Sequence, residues 1–192
     1  MYIYTYRIIK LFENMKIGYL DGIKKEDIRY YMKDSSILFN SKGDNYVLSN
    51  MYPCHLVYDG IEFQSVEQLF HWMLFSNNDD MKKKILKCKG ICNGFQVKKV
   101  CSENADKIDD DSDNKKYKCL GKCLEIKYKQ CDEFRKFIDS SWGKDLVEDA
   151  PWDSEYGAMW HKEHNAYVGK NACGRLMMAV RDKLSRQVEG RR

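Results

Sequence analysis

The stretch from Leu48 to Phe75 constrains the fold most, because it combines the signals of a β-hairpin with those of a helix directly after it. His55–Tyr58 and Ile61–Gln64 have the composition of short strands. Asp59-Gly60 lies between them, and Asp-Gly is a preferred dipeptide of two-residue hairpin turns. The stretch therefore predicts a hairpin that leads straight into a helix.

The predicted helix begins after Ser65 and has one apolar face. Ser65 and Gln68, three positions apart, match a capping box. Glu67 lies in the first turn beside the apolar face, one helical turn before His71. It either complements the helix dipole or is a half-buried carboxylate suited to acid–base chemistry. The apolar stripe consists of Val66, Leu69, Phe70, Met73 and Leu74.

Composition limits the classes of protein to which the chain can belong. The chain has 192 residues with 43% hydrophobic residues and two prolines, which indicates one domain with a substantial core and no long linker. A net charge of +4 is too small to indicate nucleic-acid binding by itself. Eight cysteines without a secretory signal, and no apolar run of membrane-spanning length, predict a cytoplasmic protein without a membrane segment.

The domain is predicted to occupy residues 36–186, between an N-terminal extension (1–35) and a short C-terminal tail (187–192). In the extension, Lys24–Met32 has the pattern of a short helix. No residue of the extension suggests chemistry.

The centre of the chain is predicted to be mostly helical. Ser36–Asn40 is a predicted strand, and Met81–Lys87 a short basic helix. Its lysines form either a solvated face or a contact to phosphate or nucleic acid. Glu103–Asn114 is polar and acidic, which favours a mobile surface loop. Helices are predicted at 115–129 and around 134–138, the first with a stripe of Leu120, Cys123, Leu124, Lys127 and Tyr128.

The last third contains a second dense pattern. Leu146–Glu148 is a predicted strand at the start of LVEDAPWDSEYG, which ends at Gly157. GKNACGRLMMAVR follows from Gly169, with Asn171 as a candidate helix N-cap. The helix after it has an apolar stripe of Cys173, Leu176, Met177, Val180 and Leu184.

Taken in chain order, these segments resemble the NADAR family, also called YbiA-like. LSNMYP from Leu48, the Asp59-Gly60 turn, SVEQ from Ser65 and the two motifs of the last third follow the family pattern in sequence and spacing. The middle family segment is similar to LGKCLEIKY from Leu120. The resemblance extends over about Ile37 to Leu184.

The resemblance implies both a fold and an activity. The implied fold is α+β, a single compact helix-rich domain of the YbiA-like type with a few short strands. The implied activity is that of an N-glycosidase, a hydrolase that cleaves the bond between a ribosyl C1 and a nitrogen. Substrate classes in the family are phosphoribosylated intermediates of riboflavin synthesis and ADP-ribosyl groups on guanine. The implied partners are a ribosyl or ADP-ribosyl nucleotide and ADP-ribosylated nucleic acid, with no cofactor and no metal.

The same resemblance implies the site residues. Glu67 of the SVE motif corresponds to the catalytic carboxylate, and Asp153 to a second acidic group. A carboxylate beside the ribose stabilises the oxocarbenium character that develops when the bond breaks. The implied substrate-binding positions are Asn50, Tyr52, His71, Tyr156, Gly157 and Asn171. The residues alone leave turn or cap roles open for Asp153 and for both asparagines.

The chain departs from the family pattern at several positions. Gln68 replaces the histidine after the catalytic glutamate, and Leu74 replaces a lysine. Tyr156 replaces a tryptophan, which keeps an aromatic plane. A glycine–arginine step and a further tryptophan have no counterpart. The departures leave a second function open: a catalytically weakened module that binds ADP-ribose or an NAD derivative.

A metal site is a further alternative. Two cysteine pairs, Cys88/Cys92 and Cys119/Cys123, and the pair His161/His164 are the candidate ligands. Structural zinc sites generally have more closely spaced Cys-x-x-Cys pairs, so this spacing disfavours zinc.

Overall fold

The structure is a computed structural model that describes residues 28–108 and 113–189, with backbone alone at 113–114 and 185–189. Its strands are β1 (Arg29–Met32), β2 (Ser36–Phe39), β3 (Leu56–Tyr58), β4 (Ile61–Phe63), β5 (Asp145–Glu148), β6 (Met159–His161) and β7 (Ala166–Gly169). Its α-helices are α1 (Val66–Leu74), α2 (Asp79–Lys87), α3 (Asn93–Ser102), α4 (Asp113–Gln130), α5 (Asp132–Ser140) and α6 (Ala172–Glu189).

The predicted hairpin and its helix are present. β3 pairs antiparallel with β4. Asp59 and Gly60 have φ values of +52° and +73°, as a type I′ turn requires at both central positions. Ser65 caps α1, because its Oγ accepts a hydrogen bond of 3.2 Å from the Gln68 backbone N–H. The local signals of this stretch therefore suffice to fix its local structure.

Two small sheets connect the ends of the domain to its centre. β2 pairs parallel with β5, which places Phe39 beside Glu148. β7 pairs antiparallel with both β1 and β6. Because β2 precedes the hairpin and β5 follows α5, their pairing closes the helical part of the chain into one unit. The carboxyl end of β5 is thereby brought close to the residues that follow β2.

The core lies among α1, α4, α6 and β5. The predicted stripe of α4 is buried along its whole length, and so is most of the stripe of α6. Leu69 and Leu124 have no exposed surface, and Leu176 is only partly buried. The result is a single α+β domain, as predicted. None of the helices in the described part of the chain is long and apolar enough to cross a membrane.

The prediction of a helix at Lys24–Met32 is wrong for Arg29–Met32, which forms β1. Tyr31 is buried there, 3% exposed, against a small second cluster that includes Val147 and Tyr167. Pairing with β7, distant in the sequence, outweighs the local helical pattern. The strand lies within the predicted extension, whose residues 1–27 are outside the described part.

Two other boundaries differ from expectation. The predicted acidic loop is shorter than expected, because α4 begins at Asp113 and Ala105–Lys107 form a 3₁₀ turn. Residues 109–112 lie outside the described part. At the C-terminus, α6 continues to Glu189, within the predicted tail.

Candidate functional site

A cleft of about 680 Å³ runs along the side of the domain. It is lined by α1, α3, the first half of α4 and the segments 49–51 and 148–153. Its volume falls in the range of roughly 300–1,000 Å³ that is usual for small-molecule sites. The two dense sequence patterns supply α1 and the segments 49–51 and 148–153, and α3 and α4 complete the cleft.

Glu67 lies in this cleft and is 9% exposed. The backbone N–H of Glu67 donates to the Asn50 carbonyl at 2.9 Å, which joins the first turn of α1 to the loop at Asn50. Its Oε1 is 3.2 Å from Nε2 of His71, one turn further along the helix. Complementing the helix dipole does not require burial, so the position of Glu67 favours a chemical role.

His71 also lines the cleft, between Glu67 and Cys101. Burial by itself would lower the pKa of His71, but the interactions with Cys101 and with the Glu67 carboxylate outweigh it and raise the pKa to about 9. The imidazole is therefore protonated at neutral pH and forms an ion pair with Glu67. The pair places one positive charge beside the buried carboxylate.

Glu148, at the end of β5, is a cleft residue that we did not single out from the sequence. Its pKa is raised to about 7, first by burial and then by the negative charges of Asp153 and Glu67, although a hydrogen bond from Cys173 acts the other way. A carboxyl group with this pKa exchanges its proton readily near neutral pH. The signal available in the sequence was its position inside the motif LVEDAPWDSEYG. We interpreted Glu148 itself only as the end of a strand.

Asp153 lines the cleft five residues after Glu148 in the chain. Its Oδ1 accepts hydrogen bonds from the backbone N–H groups of Glu155 at 3.1 Å and Tyr156 at 2.9 Å. Asp153 therefore caps a turn, one of the two roles left open by the sequence. Its charge also acts on Glu148, so the turn and the chemistry of the cleft are linked.

Asn50 is held in the cleft by a buried lysine. The ammonium group of Lys127 donates to the carbonyls of Val47 at 2.7 Å and Ser49 at 2.9 Å. Burial lowers the pKa of Lys127 to about 8. Asn50 follows directly, and its Nδ2 is 3.5 Å from Sγ of Cys173. α4 thereby fixes the loop that supports Glu67.

Of the predicted site residues, the cleft brings together Asn50, Glu67, His71, Asp153 and Tyr156.

Tyr52 lies away from the cleft. Its hydroxyl donates to Glu133 and its ring meets Tyr46 edge-on, with centroids 5.3 Å apart.

Gly157 and Asn171 shape the region behind the cleft. A Cβ on Gly157 would lie 2.5 Å from that of Ala150, so only glycine fits. The Asn171 side chain accepts from the Glu148 N–H at 3.1 Å and donates to the Leu146 carbonyl at 2.8 Å, so it fixes β5 instead of capping α6.

The departures from the family pattern have different structural consequences. The Gln68 side chain turns away from the cleft and bonds to the backbone of Gln64, Ile85 and Cys88. Leu74 lines the cleft and is 2% exposed, so it contributes an apolar wall. The described residues that line the cleft include two lysines, Lys98 and Lys116, which we did not identify from the sequence.

Metal ligands do not converge in the described part of the chain, where no three His, Cys, Asp or Glu side chains could hold an ion together. Cys92 is exposed and Cys88 buried, so that candidate pair is split between surface and core.

The fold and the cleft define the class of this protein. The NADAR domain matches residues 38–185, and the chain belongs to the NADAR domain family. A similar solved structure is the NMR structure of the E. coli protein YbiA, with a TM-score of 0.62 and 20% sequence identity. The similarity covers 83% of this chain and 94% of YbiA, and at this identity it shows the shared fold. Comparison with curated proteins finds no match.

Proposed function

We propose that the protein is an N-glycosidase that hydrolyses the bond between a ribosyl C1 and a base nitrogen in an ADP-ribosylated or phosphoribosylated base. The observation that carries the proposal is the presence of two glutamates in one cleft, Glu67 buried and Glu148 partly buried. Glu67 is ion-paired with His71, and Glu148 has a pKa near neutrality. Carboxyl groups in different surroundings are the usual means of dividing acid and base work.

The first step breaks the C1–N bond. Positive charge develops on the ribose ring, and Glu67, oriented by His71, stabilises it from beside the sugar. Glu148 in its protonated form transfers its proton to the departing base nitrogen, which leaves with the bonding electron pair.

The second step adds water to C1. The water oxygen forms the new bond to C1 and loses a proton to the Glu148 carboxylate, which restores the protonated acid. The carboxylate of Asp153, fixed by its turn, contributes further negative charge near the cationic sugar. Tyr156 supplies an aromatic plane in the cleft for the base.

The second candidate function is binding of ADP-ribose or an NAD derivative without turnover. The observation that favours it is Leu74, a buried apolar residue at the cleft position where the family pattern has lysine.

The test is release of base by the intact protein. We would incubate it with an ADP-ribosylated guanine oligonucleotide and, separately, with phosphoribosylaminopyrimidine, and detect free base by mass spectrometry. We expect release from one of them, and Glu67→Gln abolishes it with an unchanged circular dichroism spectrum. Glu62→Gln is the matched control, since Glu62 is exposed on β4 and outside the cleft. Tight ADP-ribose binding without release from either substrate would establish the binding module instead.

A further inference from the structure

Trp152 is the most exposed large apolar side chain of the described residues, at 94%, and it lines the cleft. The next most exposed tryptophans, Trp142 and Trp160, are 47% and 42% exposed and lie elsewhere. An indole ring exposed to this degree contacts almost nothing in the protein. It therefore offers both faces to a molecule that enters the cleft.

The backbone around Trp152 is fixed although its ring is not covered. The N–H of Asp153 donates to the Ala150 carbonyl at 3.1 Å, and the N–H of Ala150 donates to Ala158 at 3.1 Å. The Asp153 carboxylate caps the turn that follows. A rigid turn that holds an exposed aromatic ring is already organised for stacking, because little chain entropy is lost when a flat ligand binds.

Two lysines line the same cleft from other elements. Lys98 lies on α3 and Lys116 on α4. Lys98 is exposed, yet near enough to Glu148 for its charge to act on that carboxyl group. Ammonium groups at the edge of a cleft are suited to phosphate oxygens as point charges.

The two substrate classes of the proposed function differ in what extends beyond the reacting ribose. A phosphoribosyl group ends in one phosphate. An ADP-ribosyl group continues through a diphosphate to a second ribose and adenine. If the reacting ribose lies at Glu67 and Glu148, a second aromatic base and its phosphates would extend toward the exposed groups of the cleft.

We propose that Trp152, Lys98 and Lys116 form a nucleotide subsite at the mouth of the cleft, where an aromatic base stacks on Trp152 and its phosphates contact the lysines. The assignment of this subsite to substrate recognition depends on the proposed function, but the binding of a nucleotide does not. The chemistry fits two sources: the ADP half of an ADP-ribosyl group, or a neighbouring nucleotide of a nucleic-acid strand.

The first test is calorimetric binding of ADP and of ribose 5-phosphate, which has a phosphate but no base. We expect Trp152→Ala to weaken the binding of ADP about tenfold, a typical effect of losing one stacked base. The affinity for ribose 5-phosphate should be unchanged. Lys98→Gln and Lys116→Gln weaken the binding of both ligands. Trp160→Ala is the matched control, because Trp160 is an exposed tryptophan outside the cleft, and it changes neither affinity.

A second arm separates the two sources with an unmodified tetranucleotide as ligand. If Trp152→Ala weakens the binding of ADP, the stacked base belongs to an ADP group. If it weakens the binding of the tetranucleotide alone, the base belongs to a neighbouring nucleotide. Equal affinities of Trp152→Ala and Trp160→Ala for both ligands would overturn the subsite. Nucleotide binding that depends on Trp152, without base release by the wild type, would support the subsite and refute the N-glycosidase.

Discussion

Among single residues, Glu148 connects the stability of this protein most directly with its chemistry. It is the last residue of β5, follows the buried Leu146 and Val147, and lines the cleft. Its carboxyl group lies near the negative charges of Asp153 and Glu67. Since like charges and burial both penalise ionisation, the folded state favours the protonated form. The arrangement that suits Glu148 for proton transfer therefore destabilises the fold when the proton is lost.

We predict that Glu148→Gln makes the protein more stable above neutral pH and nearly inactive. The folded pKa is raised from 4.5 to about 7, so the wild type loses stability as pH rises through that window. Glutamine has no proton to lose. At about pH 8 the gain in the free energy of unfolding is therefore at most about 3–4 kcal/mol, from roughly 1.4 kcal/mol per pKa unit. Turnover falls by about a hundredfold or more, as for loss of a general acid.

Urea unfolding at acidic and alkaline pH measures the stability difference, and base release measures the turnover. Glu103→Gln is a matched control, because Glu103 is exposed at the end of α3. A variant that is as pH-dependent in stability as the wild type would exclude Glu148 as the group responsible.

Among the elements, α4 supports the site through Lys127. Its ammonium group has no exposed surface and holds two carbonyls of the loop before Asn50. The sequence places Lys127 in the stripe of α4 and in the middle family segment, and predicts no bond for it. Spacing along a helix identifies the face that is buried, but it does not show that a lysine on that face bonds to a distant loop.

We predict that Lys127→Met destabilises the protein and removes part of its pH dependence. Two buried carbonyls lose their donor, at a cost of about 1–3 kcal/mol each. The folded pKa is lowered from 10.5 to about 8, so the unfolded wild type binds more protons between these values and wild-type stability rises with pH there. The Met variant lacks that rise.

The measurement is the difference in free energy of unfolding between wild type and variant, at neutral pH and near pH 10. Lys122→Met, at an exposed position of α4, is the control. A difference that does not change with pH would show that Lys127 keeps an ordinary pKa.

For the whole molecule, the cleft joins segments from both ends of the domain, so a bound ligand should stabilise the complete fold. We predict that ADP-ribose at about a hundred times its Kd adds about 2.7 kcal/mol to the free energy of unfolding. For a chain of this length each kcal/mol corresponds to about 2–4 °C in Tm. Scanning calorimetry measures the shift, and a Tm that is unchanged at saturating ligand would contradict binding to the folded cleft.

Local structure was predictable where a few neighbouring residues decide it. Ser65 and Asp59-Gly60 fix a helix start and a turn, and both are present. β1 was not predictable in this way, because its conformation depends on pairing with β7.

The residues of the site also differ in whether the local sequence identifies them or only the fold does. Glu67 and Asp153 were found through their motifs, whereas the proximity of Glu148 to Glu67 depends on how distant segments pack. Exposure, which distinguishes Trp152, is likewise a property of the folded surface. Tyr52 was predicted as a site residue from its motif, yet it lies away from the cleft.

The burial of Lys127 has a practical consequence for following the motions of this protein. A reagent that modifies amines reaches surface lysines such as Lys83 and Lys129 at once. It reaches Lys127 only when α4 separates from the loop that it supports, since the amine has no exposed surface. The rate at which Lys127 is labelled therefore reports how often the core opens, without any probe having to be introduced.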